Sequence, residues 1–347
     1  MRNNTRIDEI DAKILKTLLK ESRTSFTQIA KDCKITVGAV RMRYQRLCKV
    51  GIINGGIMLV NPHSLGYKYI IDLGITTAID NEKEVTEYLK RKPYIRHIVG
   101  PFGKYNFWAK VALQDVKKLA EILQDLESNS FVERVDSLIW AEAVNIEYPE
   151  KLGIKPTNGN SEECSIQPRW SNLERIKIDA TDRKIATMLS QNSRRPFRKI
   201  AAEIGISTKN VIQRYKKLRG NVLTISSITV DLEKLGYRSL AHMFIKIANR
   251  SKTPEICEQM LQIPNLIVMI RLIGVYDLYV CVALADFNEL FELTEQIRKI
   301  QGIEKTETIL TPPPRAWPLH LFPSLLESEL MEPKSWLENS ANDAKRL

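Results

Sequence analysis

Ile7-Asp8-Glu9-Ile10-Asp11-Ala12-Lys13-Ile14 and Ile178-Asp179-Ala180-Thr181-Asp182-Arg183-Lys184-Ile185 are two versions of one phrase, 171 residues apart. The register holds without a gap to Leu47 and Leu218, with 16 of 41 positions identical. Among them are Ser22-Arg23 with Ser193-Arg194, Phe26 with Phe197, Ile29-Ala30 with Ile200-Ala201 and Arg43-Tyr44 with Arg214-Tyr215. One residue is then lost, and Leu65-Gly66-Tyr67 matches Leu235-Gly236-Tyr237. Gly103-Lys104-Tyr105-Asn106 matches Gly274-Val275-Tyr276-Asp277, and Val111-Ala112-Leu113 matches Val282-Ala283-Leu284. Self-similarity at so long a period means a duplicated multi-domain unit rather than a short-repeat solenoid.

The chain of 347 residues, 44% hydrophobic and 27% charged, suits two to four globular domains. It carries no apolar run long enough for a transmembrane helix, and its first residues lack the apolar core of a secretory signal. Five scattered cysteines, with no C-x-x-C pair, give neither a disulfide framework nor a cysteine zinc site. A cytoplasmic protein without membrane, metal or cofactor is the expectation. The net charge of +11 is unevenly placed. Residues 1–60 carry +7 and residues 169–236 carry +9, while 61–150 and 237–347 are mildly acidic at −3 and −2. Two basic modules alternating with acidic ones point to two polyanion-binding units.

In the first module Asp8 is placed to cap a helix bearing Ile10, Ile14, Leu15, Leu18 and Leu19 on one face. Ser25 caps a short second helix, Phe26 to Cys33, and Thr36 a third with Val40, Tyr44 and Leu47 inward. Gly51-Ile52-Ile53 then opens a short hairpin. The second module repeats the plan with Asp179, Pro196 at the first turn of the second helix, Gly205 at the turn, Ser207 as cap, and Val211, Tyr215 and Leu218 inward. Small Ala30 and Ala201 allow the second and third helices to approach. This is a winged helix-turn-helix, whose third helix enters the major groove. The DNA-contacting candidates are Thr36, Val37, Gly38, Arg41, Met42, Arg43, Gln45 and Arg46, then Ser207, Thr208, Lys209, Asn210, Gln213, Arg214, Lys216 and Lys217. Arg, Asn and Gln carry the donor patterns that read base edges, and Lys and Arg neutralise phosphates.

The acidic modules read as strand, helix, strand, strand, helix, strand. In the first these are Tyr69–Ile75, Glu82–Lys90, Ile95–Val99, Phe107–Leu113, Val116–Leu126 and Val132–Ile139. In the second they are Leu240–Ala248, Pro254–Gln262, Leu266–Ile273, Tyr276–Leu284, Phe287–Ile300 and Ile303–Leu310. This βαββαβ order is ferredoxin-like, and its uncovered apolar sheet face calls for a second such face. The fold class is therefore α+β, a tandem duplication of winged helix-turn-helix plus ferredoxin-like domain. The expected divisions are 1–60, 61–150, a Gly/Asn/Ser/Pro/Glu linker at 151–172, 173–236, 237–312 and a tail at 313–347.

A winged helix-turn-helix followed by βαββαβ resembles the Lrp/AsnC (feast/famine) transcription regulators, over roughly residues 6–145 and 177–312. Asp8, Asp11 and Ile14, repeated as Asp179, Asp182 and Ile185, reproduce that family's opening, and the Leu-Gly-Tyr and Gly-x-x-Asp elements also fit. The resemblance implies sequence-specific binding to double-stranded DNA and association through the ferredoxin-like (RAM) sheets, with a homo-oligomer expected. It also implies a small effector, often an amino acid, near the Gly-x-x-Asp turn. That points to Gly274, Tyr276 and Asp277, and to Gly103, Tyr105 and Asn106, where Asn replaces the Asp and the two sites become unequal. Because most members are one unit long, the two units here are expected to form an intramolecular pseudo-dimer. Arg41-Met42 faces Ile212-Gln213 across the repeat. The pair should therefore read dissimilar half-sites about 34–36 Å apart or a multiple of that.

Two rival readings remain at this level. Some tetrapyrrole decarboxylases resemble the same architecture, and His63, His97, His242 and His320 are the available histidines. They do not occupy matching repeat positions, and no Ser/His/Asp or phosphate-loop arrangement accompanies them, so no catalytic residue is assigned. A sensing or scaffold protein that has lost DNA binding is the other. The tail from Thr311 to Pro318, with its prolines, should be an extended strap, followed by a short amphipathic segment over 319–331.

Overall fold

A computed structural model of the chain describes residues 7–100, 103–141, 147–154 and 176–327. Most of the expected linker, Cys164, and the tail beyond Glu327 with Trp336 lie outside the described residues. The first unit opens with α1 (Glu9–Lys20), α2 (Phe26–Cys33) and α3 (Val37–Lys49), then β1 (Ile53–Val60). Its ferredoxin-like part is β2 (Tyr69–Thr76), α4 (Glu82–Lys90), β3 (Ile95–Val99), β4 (Phe107–Leu113), α5 (Lys117–Glu127) and β5 (Arg134–Trp140). The second unit repeats this as α6 (Ala180–Gln191), α7 (Phe197–Ile204), α8 (Thr208–Leu218) and β6 (Leu223–Val230). It continues with β7 (Ser239–Ile247), α9 (Thr253–Met260), β8 (Leu266–Ile273), β9 (Leu278–Leu284), α10 (Phe287–Arg298), β10 (Ile303–Thr311) and a final turn of helix, α11 (Ser324–Glu327).

The helix starts follow from their caps. Asp8 with Asp11, and Asp179 with Asp182, each form a reciprocal capping box in which both backbone donors are satisfied by side chains. Pro196 sits at the N-cap of α7 rather than inside its first turn, and offers no side-chain cap. The chain turns out of α2 through Lys34 at φ 54° and out of α7 through Gly205 at φ 73°. Both are left-handed, so the first unit holds with lysine a conformation glycine adopts more cheaply.

The expected hairpin after α3 is not formed. β1 pairs antiparallel with β6 of the other unit, in register from Gly55↔Thr229 through Ile57↔Ser227 to Met58↔Ser226, with a register shift at each end toward Ile53↔Val230 and Val60↔Leu223. An isolated strand cannot satisfy its own amides, and its partner here lies some 170 residues away in the sequence rather than across a local turn. This ladder lies on a pseudo-twofold axis. Ser22 N–H donates to the Ser226 carbonyl at 3.0 Å, and Ser193 N–H to that of Gly56 at 2.9 Å. The two equivalent serines meet directly, Oγ to Oγ at 2.7 Å.

On either side of that axis an arginine crosses over. Arg23 donates to the carbonyls of Ser193 at 2.5 Å and Arg195 at 3.1 Å, with its guanidinium 4.0 Å from the Phe197 ring centre. Arg194 donates in return to the carbonyls of Ser22 and Thr24, and lies 4.8 Å from the Phe26 ring and 5.3 Å from that of Tyr44. Each helix-turn-helix module thus completes its partner's aromatic pair.

Both ferredoxin-like parts have the strand order expected of βαββαβ, and the described strands join into one ladder, β10-β7-β9-β8-β5-β2-β4-β3. The junction is short, Ile139↔Ile273 and Trp140↔Leu272. Strand alternation sends Ile71, Leu73, Ala109 and Val111 beneath the helices, with Leu89 and Ile122. The opposite parity, including Ile70, Trp108 and Leu138, shares a core with Phe244, Ile270 and Ile309 of the second unit. Trp108 and Phe244 are 5.4 Å apart across the sheets. The uncovered sheet faces have therefore found each other within one chain.

The tail is a strap. Trp317 exchanges backbone hydrogen bonds with Val230 of β6 at 2.8 and 3.0 Å, and its ring is buried. Phe322, Leu325 and Leu326 then join the cluster that holds Ile185 and Leu189 of α6.

Removing the guanidinium in Arg23→Ala or Arg194→Ala leaves two carbonyls of the partner module unpaired and its aromatic face uncapped. Each variant should lose about 2–4 kcal/mol. Calorimetry should place the first unfolding transition several degrees lower, whereas exposed Lys20→Ala should leave it unmoved.

Candidate nucleic-acid interface

The helix-turn-helix geometry is set from the inside. In the first module Ile29 and Ala30 of α2 and Val40 and Leu47 of α3 are buried together with α1, and Ile200, Ala201, Val211 and Leu218 do the same in the second. Phe26 packs on Tyr44 at 5.2 Å between ring centres, and Phe197 on Tyr215 at 5.0 Å. Thr36 and Ser207 are N-caps whose hydroxyls accept from the amides of Ala39 at 3.1 Å and Asn210 at 3.2 Å. These two residues set the angle at which the third helix begins, with their side chains already occupied.

The candidates on the third helices divide into two groups. Arg43 donates to Asp8 at 2.6 Å and Asp11 at 2.9 Å, and Arg46 pairs with Asp11. Arg214 does the same with Asp179 at 2.6 Å and Asp182 at 2.7 Å, and Lys217 with Asp182 at 2.5 Å. Arg43 and Arg214, both among the expected DNA-contacting residues, have their guanidinium groups engaged within the module. They clasp the third helix to the cap of the first, where Asp11 and Asp182 are fully buried carboxylates that require a countercharge. Arg46 and Lys217 share that duty. The sequence signal for the clasp is the pair of aspartates repeated at the opening of both units, Asp8 and Asp11 with Asp179 and Asp182.

The second group is open. In α3, Val37, Gly38, Arg41, Met42 and Gln45 are exposed, Met42 by 67%. In α8, Lys209, Asn210, Gln213 and Lys216 are exposed and Thr208 is half-buried. Exposed Lys31, Lys34 and Lys49 flank the first face, and Arg198 and Lys199 are exposed on α7 beside the second. This arrangement presents flexible cations and amide groups from two helices that are locked to one another, as a groove-reading surface requires.

The effector candidates sit differently. Asp277 is buried, accepts from the Ile247 amide at 2.9 Å and from Arg250 Nε at 2.7 Å, and lies 3.4 Å from Lys246. Burial alone would raise its pKa, and these donors bring it below the ordinary aspartate value. Asn106 accepts from the Thr77 amide at 2.9 Å and donates to Glu82 at 2.8 Å. Both residues fasten a strand turn to the start of the neighbouring helix. Tyr105 donates to Asp136 at 2.8 Å and Tyr276 to Glu307, while Gly103 packs on Ile309 and Gly274 on Leu138. Those four residues belong to the contact between the units.

The histidines are buried to differing degrees, and burial lowers the pKa of each, to about 3 for His242 and about 4 for His320. Sequence alone separates His97 from His242, but the fold directs both toward the space between the sheets. His97 pairs across the ladder with Lys110, Lys110 with Asp72, and the Lys110 charge further disfavours the protonated form of both histidines. His242 bonds Tyr279 and Thr311, each at 2.7 Å.

The clasps carry a pH signature. At Asp179 the Asp182 amide and then Arg214 hold the carboxyl below the ordinary aspartate value. At Asp8 burial opposes, and the Asp11 amide and Arg43 win. A depressed folded pKa contributes stability that is complete above the unfolded value and is lost as pH falls through the folded one. The acid limb of stability should therefore be shallower in Asp8→Asn and Asp179→Asn than in the parent, measured by thermal unfolding between pH 2 and pH 7. Arg43→Ala should cost about 1–2 kcal/mol of module stability. Its effect on DNA affinity, measured at a temperature where the variant is folded, should be smaller than that of Arg41→Ala.

Comparison with known proteins agrees with this geometry. Residues 178–219 match the model of an AsnC-type helix-turn-helix domain, and residues 7–54 that of a winged helix-turn-helix DNA-binding domain. The HTH-type transcriptional regulator LrpA of Pyrococcus horikoshii is 37% identical over 119 residues, which are 34% of this chain and 84% of that protein. The regulator Ptr1 of Methanocaldococcus jannaschii is 32% identical over 119 residues, 34% of this chain and 80% of its own length. Each such relative is thus one unit long where this chain has two. Among solved structures the siroheme decarboxylase NirDL superposes over 97% of this chain and 100% of its own, with a TM-score of 0.62 and 15% identity, a likeness of fold. With two matched helix-turn-helix modules and relatives covered over most of their length, the chain belongs to the Lrp/AsnC family of helix-turn-helix transcriptional regulators.

Proposed function

We propose that this DNA-binding regulator reads two unlike half-sites of one duplex, its two modules serving as the halves of a dimer built into a single chain. One observation carries the reading. The residues that build the modules and join them are the same in both units, namely the clasp of Asp8, Asp11 and Arg43 against Asp179, Asp182 and Arg214, and the crossed Arg23 and Arg194. The open faces differ at every matched position: Val37 against Thr208, Gly38 against Lys209, Arg41 against Ile212, Met42 against Gln213 and Gln45 against Lys216. The scaffold is kept while the reading surface has diverged.

The chemistry assigns each face a preference. Arg41 suits the O6 and N7 acceptors of guanine, and Val37 and Met42 suit the thymine methyl. Asn210 and Gln213 suit adenine, and Lys209 and Lys216 supply phosphate neutralisation. The regulatory role resides in this binding, and we assign no catalytic step to the chain.

The likeness to a siroheme decarboxylase and the convergence of His97 and His242 near Lys110 favour a second reading, an enzyme acting on a tetrapyrrole. Against it, a linked series of rings occupies the region between the sheets: Tyr105, Trp108, Phe244 and Tyr276, each 5.3–5.5 Å from the next. The two readings separate in one titration. The purified chain should bind selected duplex fragments with affinity that falls steeply with salt. Arg41→Ala should cost about 1–3 kcal/mol at one half-site, and Asn210→Ala a similar amount at the other. Lys209→Ala with Lys216→Ala should weaken all sequences alike and flatten the salt slope. The absence of selective binding at any salt, with saturable uptake of an iron porphyrin, would replace this reading with the second.

A further inference from the structure

The units differ where the second strand of each βαββαβ part meets its first helix. In the second unit that groove, between β8 and α9, is filled by the chain itself. Beyond β5, Glu147 bridges to Val268, the Tyr148 amide donates to the Ile267 carbonyl at 3.0 Å, and Lys151 donates to the carbonyl of Leu261, just past α9. Tyr148 is fully buried in the same cluster as Met260, Leu261 and Leu266. The equivalent stretch after β10 does not serve the first unit. Pro312, Pro313 and Pro314 lack amide protons, and Trp317 is bonded to Val230 of β6.

Among the described residues nothing fills the matching groove, between β3 and α4, which has a volume of about 970 Å³. Leu89, Ile95 and Ile98 supply apolar wall, and Arg96, His97, Lys83 and Lys90 line it together with Asp80 and Glu82. Among the described residues β3 has β4 as its one ladder neighbour. Among the described residues, Arg96 Nε and His97 Nε2 are buried without a hydrogen-bond partner, at the positions that Ile267 and Val268 hold in the second unit.

We propose that the β3–α4 groove docks an extended, acidic segment of a partner protein. The segment adds to β3 as an antiparallel strand and seats an aromatic ring against Leu89, as Tyr148 does in the Met260 cluster. The chain's own filled groove gives the template for the backbone and the anchor, and main-chain pairing supplies affinity in such complexes. Acidity follows from the Arg96 guanidinium, at the position that buried Ile267 holds in the second unit, and from Lys83 and Lys90 beside it. A second copy fits less well, because two β3 strands edge to edge bring Arg96 of each copy into the same small region. The register shift between Ile95 and His97 is no obstacle, since β8 carries the same shift and is paired all the same.

The probe is a fluorescein-labelled peptide with the sequence of residues 145–154, Asn-Ile-Glu-Tyr-Pro-Glu-Lys-Leu-Gly-Ile, titrated into the full chain. Binding in the micromolar range is expected, with slowed hydrogen exchange at the amides of residues 95–99. Arg96→Glu should weaken it roughly tenfold while leaving DNA affinity unchanged, which shows that the variant is folded. A peptide with Ala in place of its Tyr should lose most of its affinity. The proposal is overturned by no binding at millimolar peptide, by binding indifferent to Arg96→Glu, by protection at β8 in place of β3, or by sedimentation showing that β3 is covered by a second copy. None of these outcomes bears on the DNA reading.

Discussion

The crossed insertion of Arg23 and Arg194 is the interaction on which the molecule's arrangement rests. A guanidinium half out of water is expensive, and burial does lower the pKa of both. The cost is offset because each finds backbone carbonyls of the other module and the faces of two aromatic rings, groups that a single module leaves unfilled. Two partly complete modules therefore become one complete pair. The β1–β6 ladder, the serine contact on the axis and the Trp317 strap add backbone bonds around the same point. With this joint in place, the relative position of α3 and α8 is a property of the fold rather than of a linker.

A duplication held in one chain also removes the constraint that both halves be identical. In a dimer of identical subunits every substitution appears twice. Here Asp72, Lys110 and Trp140 stand where the second unit has His242, Cys281 and Thr311, and each set satisfies itself differently. In the first, Trp140 donates to Asp72 at 2.7 Å and Lys110 pairs with the same carboxylate. In the second, a neutral histidine bridges two hydroxyls. The same freedom explains why one strand–helix groove is filled by the chain and the other, among the described residues, is not, and why the recognition helices share their inward residues but not their outward ones.

Much of this was legible before any coordinates. The helix-turn-helix units show in the capping aspartates and the spacing of Ile29, Ala30, Val40 and Leu47. The ferredoxin-like strands show in alternation, and Arg23, Arg194, Phe26 and Phe197 stand among the identical positions. What periodicity could not give was partnership across long separations. The strand after α3 reads as half of a local hairpin because nothing in its neighbourhood says that its partner is β6. Arg43 and Arg214 read as outward cations because helical spacing places them near the open face, and only the fold shows the buried aspartates that claim them. The Gly-x-x-Asp turn enters as an effector site through the family resemblance, and the sequence does not show that the Ile247 amide and Arg250 bond its carboxylate.

The central claim, that the joint fixes two different reading heads in one frame, is tested most directly by selecting bound duplexes from a randomised pool with the full chain. The account predicts a bipartite site with two dissimilar halves at a fixed helical spacing, in which exchanging the halves in place lowers affinity. Enrichment of a perfect palindrome, or of single half-sites at no fixed spacing, would contradict it.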